Sequence, residues 1–467
     1  MADPIDELGR RLRGRLVRRG DPAYDDARRV YNGSIDKRPL ALAYCCDTED
    51  VVSSIRWARE HDVVIAVRGG GHNGPGLGCV DDGVVVDLSE IRNVTVDPET
   101  RTVRVGGGCV SRDVDEATHP HGLAVPFGIL SSTGVGGLTL GGGTGYLTRA
   151  YGLTVDNLLG AEVVLADGRV VTADPMNHRD LFWALRGGGG NFGVVVSFVF
   201  RAHPVAQIYG GPVFYDLADA RALIAAYRDF LPTAPEKLGI FFGFKTVPAV
   251  DPFPREHWSK PVCAFITCYT GPEAEGIATM APLLDAVPAP LFDWRTTMPF
   301  PNLQAMFDPL LPPGLHWYWK GDFVRSLPDA AIDVHLEHAA RLAPGTKSMM
   351  HLYPIDGAVH RVGPSDTAWR TRNAAWSMVI VGVEEDPADA GRSSQWARDY
   401  WAAVHPFSAD GGYVNFWMDD TPIERLRATY GDNYDRLARI KAIYDPDNVF
   451  HINQNIAPAT SAVAPTA

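Results

Sequence analysis

Two clusters of glycine in the first half of the chain carry the strongest chemical signal. The first is Arg68-Gly69-Gly70-Gly71-His72-Asn73-Gly74, which follows an apolar run at 63–67. The second is a belt of Gly128, Gly134, Gly136, Gly137, Gly141, Gly142, Gly143 and Gly145, leading into Tyr151-Gly152-Leu153 and Asp156-Asn157. Without side chains, successive glycines let backbone amides approach a ligand closely and line an anion-binding hollow. The chemistry this implies is capture of a phosphate-bearing ligand by main-chain N–H groups. The spacing GxGxxG occurs twice, at Gly69, Gly71, Gly74 and at Gly188, Gly190, Gly193. A dinucleotide fingerprint of that form needs a following helix whose N-terminus holds the pyrophosphate. Here Gly74 leads into more loop and Gly193 into a strand, so both matches fail on context. GxxxxGK[ST] is absent, which excludes a P-loop.

The elements that must position these loops come next. A chain of 467 residues is too long for one ordinary core and reads as two large domains. Its net charge of −13 argues against nucleic acid as a partner. The basic stretch 10–19 reads as the solvated face of a short helix. No apolar run approaches the roughly 20 residues a membrane span needs, and no secretion signal is evident, so the cytoplasm is the expected location. The six cysteines show neither zinc-site nor disulfide-framework spacing, HExxH is absent, and no metal is expected.

Residues 48–61 carry Val51, Val52, Ile55 and Ala58 at helical spacing, with Asp47 or Thr48 as cap. Strands are expected at 63–67, 84–88, 94–96 and 102–105, and a helix from Ser111 to Pro120. Asp167-Gly168 marks a hairpin between 162–165 and 170–172. A helix at 180–185 and a strand at 194–200 follow. Beyond about residue 206 glycine thins, and aromatic strands (239–244, 263–269, 316–324, 349–353, 378–383) alternate with helices (218–230, 273–284, 329–342, 388–404). That alternation predicts an antiparallel sheet covered by helices. The last 55 residues are polar and turn-rich, and the tail after Pro458 is expected to be disordered.

The stretches VRGGGHN (67–73), DLS (87–89), GVGGLTLGGGTGYLTRAYGLTVDNL (134–158), DLFWALRGGGGNFGVV (180–195) and YDPDNVF with NQNI (444–456) resemble the berberine-bridge-enzyme-like family. These are FAD-linked oxidases of the vanillyl-alcohol-oxidase superfamily. The resemblance implies an α+β fold: a PCMH-type FAD-binding domain of two α/β subdomains, at 1–205 plus 409–467, and a substrate domain at 206–408. It places FAD against Arg68, Gly69, Gly70, Gly71, His72, Asn73, Gly78, Leu88 and Ser89. The same match adds Leu130, Ser131, Ser132, Thr133, Gly134, Gly136, Gly137, Gly141, Gly142, Asn157, Gly193, Val195, Asn453 and Asn455. His72 matches the histidine that bonds the flavin 8α-methyl carbon, and a neutral imidazole is a competent nucleophile for that step. Relatives often add a cysteine bond just before GVGG, but Leu130 stands there. A single attachment at His72 is therefore expected.

The implied reaction is hydride transfer from an alcohol or other C–H of a secondary metabolite or carbohydrate to flavin, with oxygen as acceptor. A dehydrogenase using another acceptor, or a flavin-retaining protein without turnover, are the alternatives. No obligate protein partner is evident. The segment Gly412-Tyr413-Val414-Asn415-Phe416 resembles the family's YxNY, read here as a strand. Tyr413 is the first candidate for base, with Asn415 on the same strand face and Phe416 replacing the second tyrosine. Many relatives have Tyr or Phe where this chain has Thr144, and Tyr146 either fills that space over the flavin or simply packs. On the strand 316–324, alternation pairs Tyr318 with Lys320 and Trp317 with Trp319. The Tyr318/Lys320 face is the substrate candidate, its alternative a solvated lysine. His351, Tyr353 and Trp376 complete the candidate substrate set.

Overall fold

The apolar run before the first glycine cluster becomes the strand Ile65–Arg68, which pairs in parallel with Val84–Asp87. Ala41–Tyr44 pairs in parallel on the other side, and Arg15–Arg18 closes the four-stranded sheet antiparallel to it. The helix Thr48–Glu60 covers this sheet, capped by the Asp47 carboxylate on the Asp50 amide at 3.0 Å. This computed structural model describes residues 4–460; the expected disorder of the tail falls almost wholly outside them.

The basic N-terminal stretch is not one helix. The helix Pro4–Arg11 ends before Gly14, and Arg15–Arg18 is a strand. The amides of Arg13 and Gly14 donate to the Asp50 carboxylate at 2.7 and 2.9 Å, which draws the chain into the sheet. A Cβ at Gly14 would lie 2.0 Å from the Tyr44 carbonyl oxygen, so the approach requires glycine.

A five-stranded antiparallel sheet follows, in the order Val94–Asp97, Thr102–Gly106, Val194–Arg201, Leu158–Val164, Val170–Ala173. Its inward residues, among them Val103, Val105, Val163, Phe198 and Phe200, build a core with the helices Ser111–Thr118 and Arg179–Leu185. The Asp167-Gly168 hairpin forms as expected, with Gly168 at φ +79°. Part of the second glycine belt, expected as loop, is the short helix Val135–Gly141.

The largest sheet has eight strands, all paired antiparallel. Its centre runs Gln207–Asp216, Pro261–Tyr269, Leu238–Thr246, Met349–Pro354, Trp376–Glu384, His316–Val324. Strand alternation divides its side chains between two environments. Phe242, Phe244, Met350, Leu352, Met378 and Ile380 face the helices Ala220–Phe230, Asp329–Ala339 and Ala390–Val404. Phe241, Met349, Tyr353, Val379, Val381 and Trp317 face the other way, toward Tyr31 and Tyr146 of the glycine-rich half.

Two expectations near the C-terminus need correction. The turn-rich end contains the helices Ile423–Tyr430 and Asn433–Tyr444. Tyr413 to Phe416 is no strand: Val414–Phe416 forms a single 3-10 turn, with the Phe416 amide donating to the Tyr413 carbonyl at 2.9 Å. The alternation argument for those residues therefore lapses. Tyr413 and Phe416 lie ring to ring, centroids 4.7 Å apart.

Candidate active site

Between the glycine clusters and the free face of the large sheet lies a cavity of ≈ 960 Å³. That volume stands at the top of the range usual for cofactor and ligand sites, about 300–1,000 Å³. The two glycine clusters meet backbone to backbone. A Cβ on Gly70 would fall 2.4 Å from the Gly134 nitrogen, and one on Gly134 would fall 2.3 Å from the Gly70 nitrogen. Gly137 and Gly190, by contrast, face open space: a Cβ there meets no heavy atom within 4 Å. The first pair closes the cradle, and the second leaves backbone bare toward the cavity.

His72 lies on the cavity wall, its ring stacked on Tyr31 with centroids 3.8 Å apart and planes at 17°. Its Nε2 is 3.1 Å from the Ser132 hydroxyl. Burial lowers its pKa to about 4, outweighing the pull of Asp308, so the ring is neutral at physiological pH. Arg68 is buried and its guanidinium ion-pairs with buried Asp87. That pair anchors the start of the first cluster to the neighbouring strand.

Of the residues assigned to FAD by resemblance, Arg68 to Asn73, Gly78, Leu88, Leu130, Thr133, Gly134, Gly136, Gly137, Gly141, Gly193, Val195 and Asn453 line the cavity. Ser89, Ser131, Ser132, Gly142, Asn157 and Asn455 are not among the residues that line it. Ser131 binds the Asp308 carboxylate, Ser132 holds His72, and the Asn157 amide donates to the carbonyls of Tyr151 and Leu153 at 2.9 Å. A Cβ on Gly142 would strike Trp369 at 2.3 Å, so this glycine packs rather than lines.

The sheet face over the cavity carries Phe241, Gly243 and Lys245, Met349, His351 and Tyr353, Val379 and Val381, and Trp317 and Trp319. His351 and Tyr353, two of the candidate substrate residues, lie on this face, with Tyr353 Oη 2.6 Å from His351 Nδ1. Gly243 makes room for that pair, since a Cβ there would lie 2.5 Å from the His351 ring. Burial and neighbouring Lys245 lower the His351 pKa to about 3, and burial raises the Tyr353 phenol.

Tyr318, Lys320 and Trp376 are not at the cavity. They project from the opposite sheet face. Lys320 Nζ pairs with Asp420 at 2.7 Å, Tyr318 donates to the same carboxylate, and Trp376 Nε1 donates to Tyr227 Oη at 3.1 Å. Alternation holds along this strand, and it is Trp317 and Trp319 that face the cavity.

Tyr413 Oη accepts the Gly143 amide at 2.8 Å and the Asn415 amide at 2.8 Å, and burial still raises its pKa. Tyr146 packs on Phe241, centroids 5.1 Å apart, and its hydroxyl approaches the Ile129 carbonyl at 3.4 Å. It both lines the cavity and packs, with a phenol that burial raises far above its usual value. Sequence reasoning missed Lys245 and Tyr31, and also Lys441. The Lys441 ammonium is fully buried, donating to Asp445 and to the Asn191 and Phe450 carbonyls. The only sequence signal for it was its spacing of four from Asp445.

Family models agree with this geometry. One described as "FAD binding domain" matches residues 39–174, and one described as "Berberine and berberine like" matches 412–457. An uncharacterized FAD-linked oxidoreductase of Bacillus subtilis (strain 168), YgaK, is 31% identical over 460 residues, 96% of this chain and 98% of the relative. The chain belongs to the berberine-bridge-enzyme-like FAD-linked oxidoreductases. The crystal structure of 6-hydroxy-D-nicotine oxidase from Arthrobacter nicotinovorans superposes with a TM-score of 0.87 at 24% identity, covering 98% of this chain and 100% of that one. Glucooligosaccharide oxidase from Acremonium strictum, described with a 6-S-cysteinyl, 8α-N1-histidyl FAD, gives 0.86 at 22% identity, covering 98% and 100%. These likenesses establish the α+β, PCMH-type FAD-binding fold with its antiparallel sheet.

The residues of this berberine-bridge-enzyme-like chain fit FAD. The bare backbone at Gly137 and Gly190 leaves main chain open to the cofactor, and Asn453 Oδ1 is buried on the cavity without a hydrogen-bond partner in the protein. Leu130 lines the cavity. Cys109 is buried away from it, its sulfur 3.8 Å from the Asn93 carbonyl. Among the described residues no helix is long and apolar enough to cross a membrane.

Proposed function

We propose that this oxidoreductase is an oxidase of an alcohol-bearing organic substrate, with FAD bonded once, at His72. FAD held by the glycine cradle and His72 would supply a two-electron acceptor for the substrate's carbinol hydride, with oxygen as the terminal oxidant, reduced to hydrogen peroxide. The observation that carries this reading is that neutral His72 and the Tyr353–His351 pair face one glycine-floored cavity. The domain division 1–205 plus 409–467 against 206–408 is supported by the eight-stranded sheet, whose strands all fall between 207 and 384.

The hydroxyl proton has to leave as the hydride does. A phenol can take it only if its own proton has somewhere to go. Tyr353 has that outlet: with the ring proton on Nε2, His351 Nδ1 accepts from Tyr353, and Tyr353 accepts from the substrate. The neutral state of His351 is the accepting one. Tyr413 has two N–H donors on its oxygen and offers its O–H to the ligand, so it orients rather than deprotonates. A second reading keeps Tyr413 as the base, because two donors stabilise a phenolate.

The test is an anaerobic panel of primary and secondary alcohols, aromatic and carbohydrate, followed by air. Bleaching of the yellow colour and then stoichiometric peroxide is the expected result. Bleaching without peroxide makes the chain a dehydrogenase, and bleaching by no alcohol overturns the oxidase reading.

A further inference from the structure

Lys245 lies on the strand Leu238–Thr246, on the same face as Phe241 and Gly243, and its side chain enters the cavity. Among the described residues it makes no hydrogen bond and no ion pair. Its ammonium stands 5.4 Å from the ring centre of Phe307 and 5.8 Å from that of Phe214. Aromatic faces attract a cation weakly, but they are no counter-ion.

Among the described residues, the other charged side chains around the cavity are ion-paired or hydrogen-bonded within the protein. Arg68 has Asp87, and Lys347 has Glu385 at 3.3 Å and the Leu310 carbonyl at 3.1 Å. Glu384 accepts from Thr346 and Ser393, Asp386 accepts the Ala388 amide at 2.8 Å, and Asp389 pairs with Arg392 at 3.4 Å. His351, the titratable neighbour of Lys245, is neutral. One cation is left without an anion. Burial and the Lys347 charge bring its pKa down to about 8, which still leaves most of it charged at neutral pH. A desolvated charge without a partner is costly, and a ligand anion would offset that cost through a charge-assisted hydrogen bond.

We propose that Lys245 is the anion-recognition residue of this site and that the substrate carries a carboxylate remote from its reacting carbon. The inference rests on the oxidase reading of the same cavity and adds the substrate class. Position sets the spacing. Tyr353 packs on Phe241 with centroids 4.8 Å apart, and Lys245 is four residues further along that strand. Four residues of strand rise roughly 13 Å from Cα to Cα, so the carboxylate is held further along the strand than the reacting carbon. The walls between them, Val379, Val381, Met349 and Trp317, suit an apolar or aromatic middle. Burial is the larger cause of the low His351 pKa, and the carboxylate would offset only the smaller contribution of the Lys245 charge.

The experiment is a calorimetric titration of the holoenzyme with biphenyl-4-carboxylate and, as neutral isostere, biphenyl-4-carboxamide. Calorimetry reads binding whether or not the flavin turns over, so loss of oxidase chemistry and loss of this inference are separate results. In the unaltered protein the acid should bind at least about tenfold tighter than the amide, the value of one charged hydrogen bond. Lys245→Met should bring the two within about twofold, and Lys245→Arg should keep most of the preference. If Lys245→Met loses flavin or melts early, Lys245→Gln takes its place. Equal affinity for acid and amide in the unaltered protein, an acid preference untouched by removing the charge, or no acid binding at millimolar concentration would each overturn the proposal.

Discussion

Gly70 and Gly134, 64 residues apart in sequence, touch through their backbones: a Cβ on either would lie within 2.4 Å of the other's amide nitrogen. That contact turns two loop segments into one cradle. Gly134→Ala should therefore force the clusters apart, at a cost of about 1–3 kcal/mol, and yield protein with little flavin. Gly137→Ala is the control, because its methyl meets no protein atom within 4 Å and projects toward the ligand. It should lower flavin content without lowering the urea stability of the flavin-free protein, since alanine is no worse than glycine inside the helix Val135–Gly141. Equal stability of the two variants would argue against the cradle.

The proton route predicts unequal tyrosines. Tyr353→Phe should slow anaerobic flavin reduction by about 10²-fold or more, the usual range for a lost general base. Tyr413→Phe, losing only an orienting hydroxyl, should cost less and act more on KM. The opposite ranking would return the base to Tyr413, the second reading above.

Acid should destabilise the fold through buried histidines. The pKa of His203 is lowered to about 4, and those of His335 and His351 to about 3, from an ordinary 6.5, mainly by burial. A lowered folded pKa means that the unfolded chain binds the extra protons below about pH 6.5. These groups therefore cost nothing above that pH, and stability falls as pH drops from there toward 4. His335→Gln should remove one proton from the slope of unfolding free energy against pH. A melting curve independent of pH between about 8 and 5 would contradict this.

The buried Lys441–Asp445 pair holds the C-terminal segment that brings Asn453 to the cavity. Asp445 also accepts the Val449 and Phe450 amides at 2.8 and 2.9 Å. Removing the ammonium leaves a buried carboxylate unmatched, so Lys441→Met should cost about 3–5 kcal/mol in urea unfolding and weaken FAD retention. A change below about 1 kcal/mol would show that water, rather than Lys441, matches Asp445.

Much of the fold was legible because its signals are local. The strand His316–Val324 and the helix Glu273–Leu284 follow from alternation and helical period alone, and the Asp167-Gly168 turn from its dipeptide. What failed needed partners remote in sequence. Lys320 reads as a free cation until Asp420, 100 residues on, takes it, and Lys245 reads as an ordinary surface lysine until the fold withholds a partner. Phe416 was assigned to a strand face, but a 3-10 turn joins Tyr413 to it. Glycine spacing told of a phosphate-bearing ligand. Which glycines line the cavity and which, like Gly142, only pack against Trp369 depends on tertiary contact.

The bond between His72 and FAD is open to direct measurement. The purified chain should be unfolded in acid, digested, and the peptide spanning Arg68 to Asn73 weighed. The expected mass is that of the peptide plus one FAD less the two hydrogens lost in forming the bond, carried by this peptide alone, and Leu130→Cys would be free to add a second link. A peptide of unmodified mass, with all the yellow colour released into the supernatant, would contradict it.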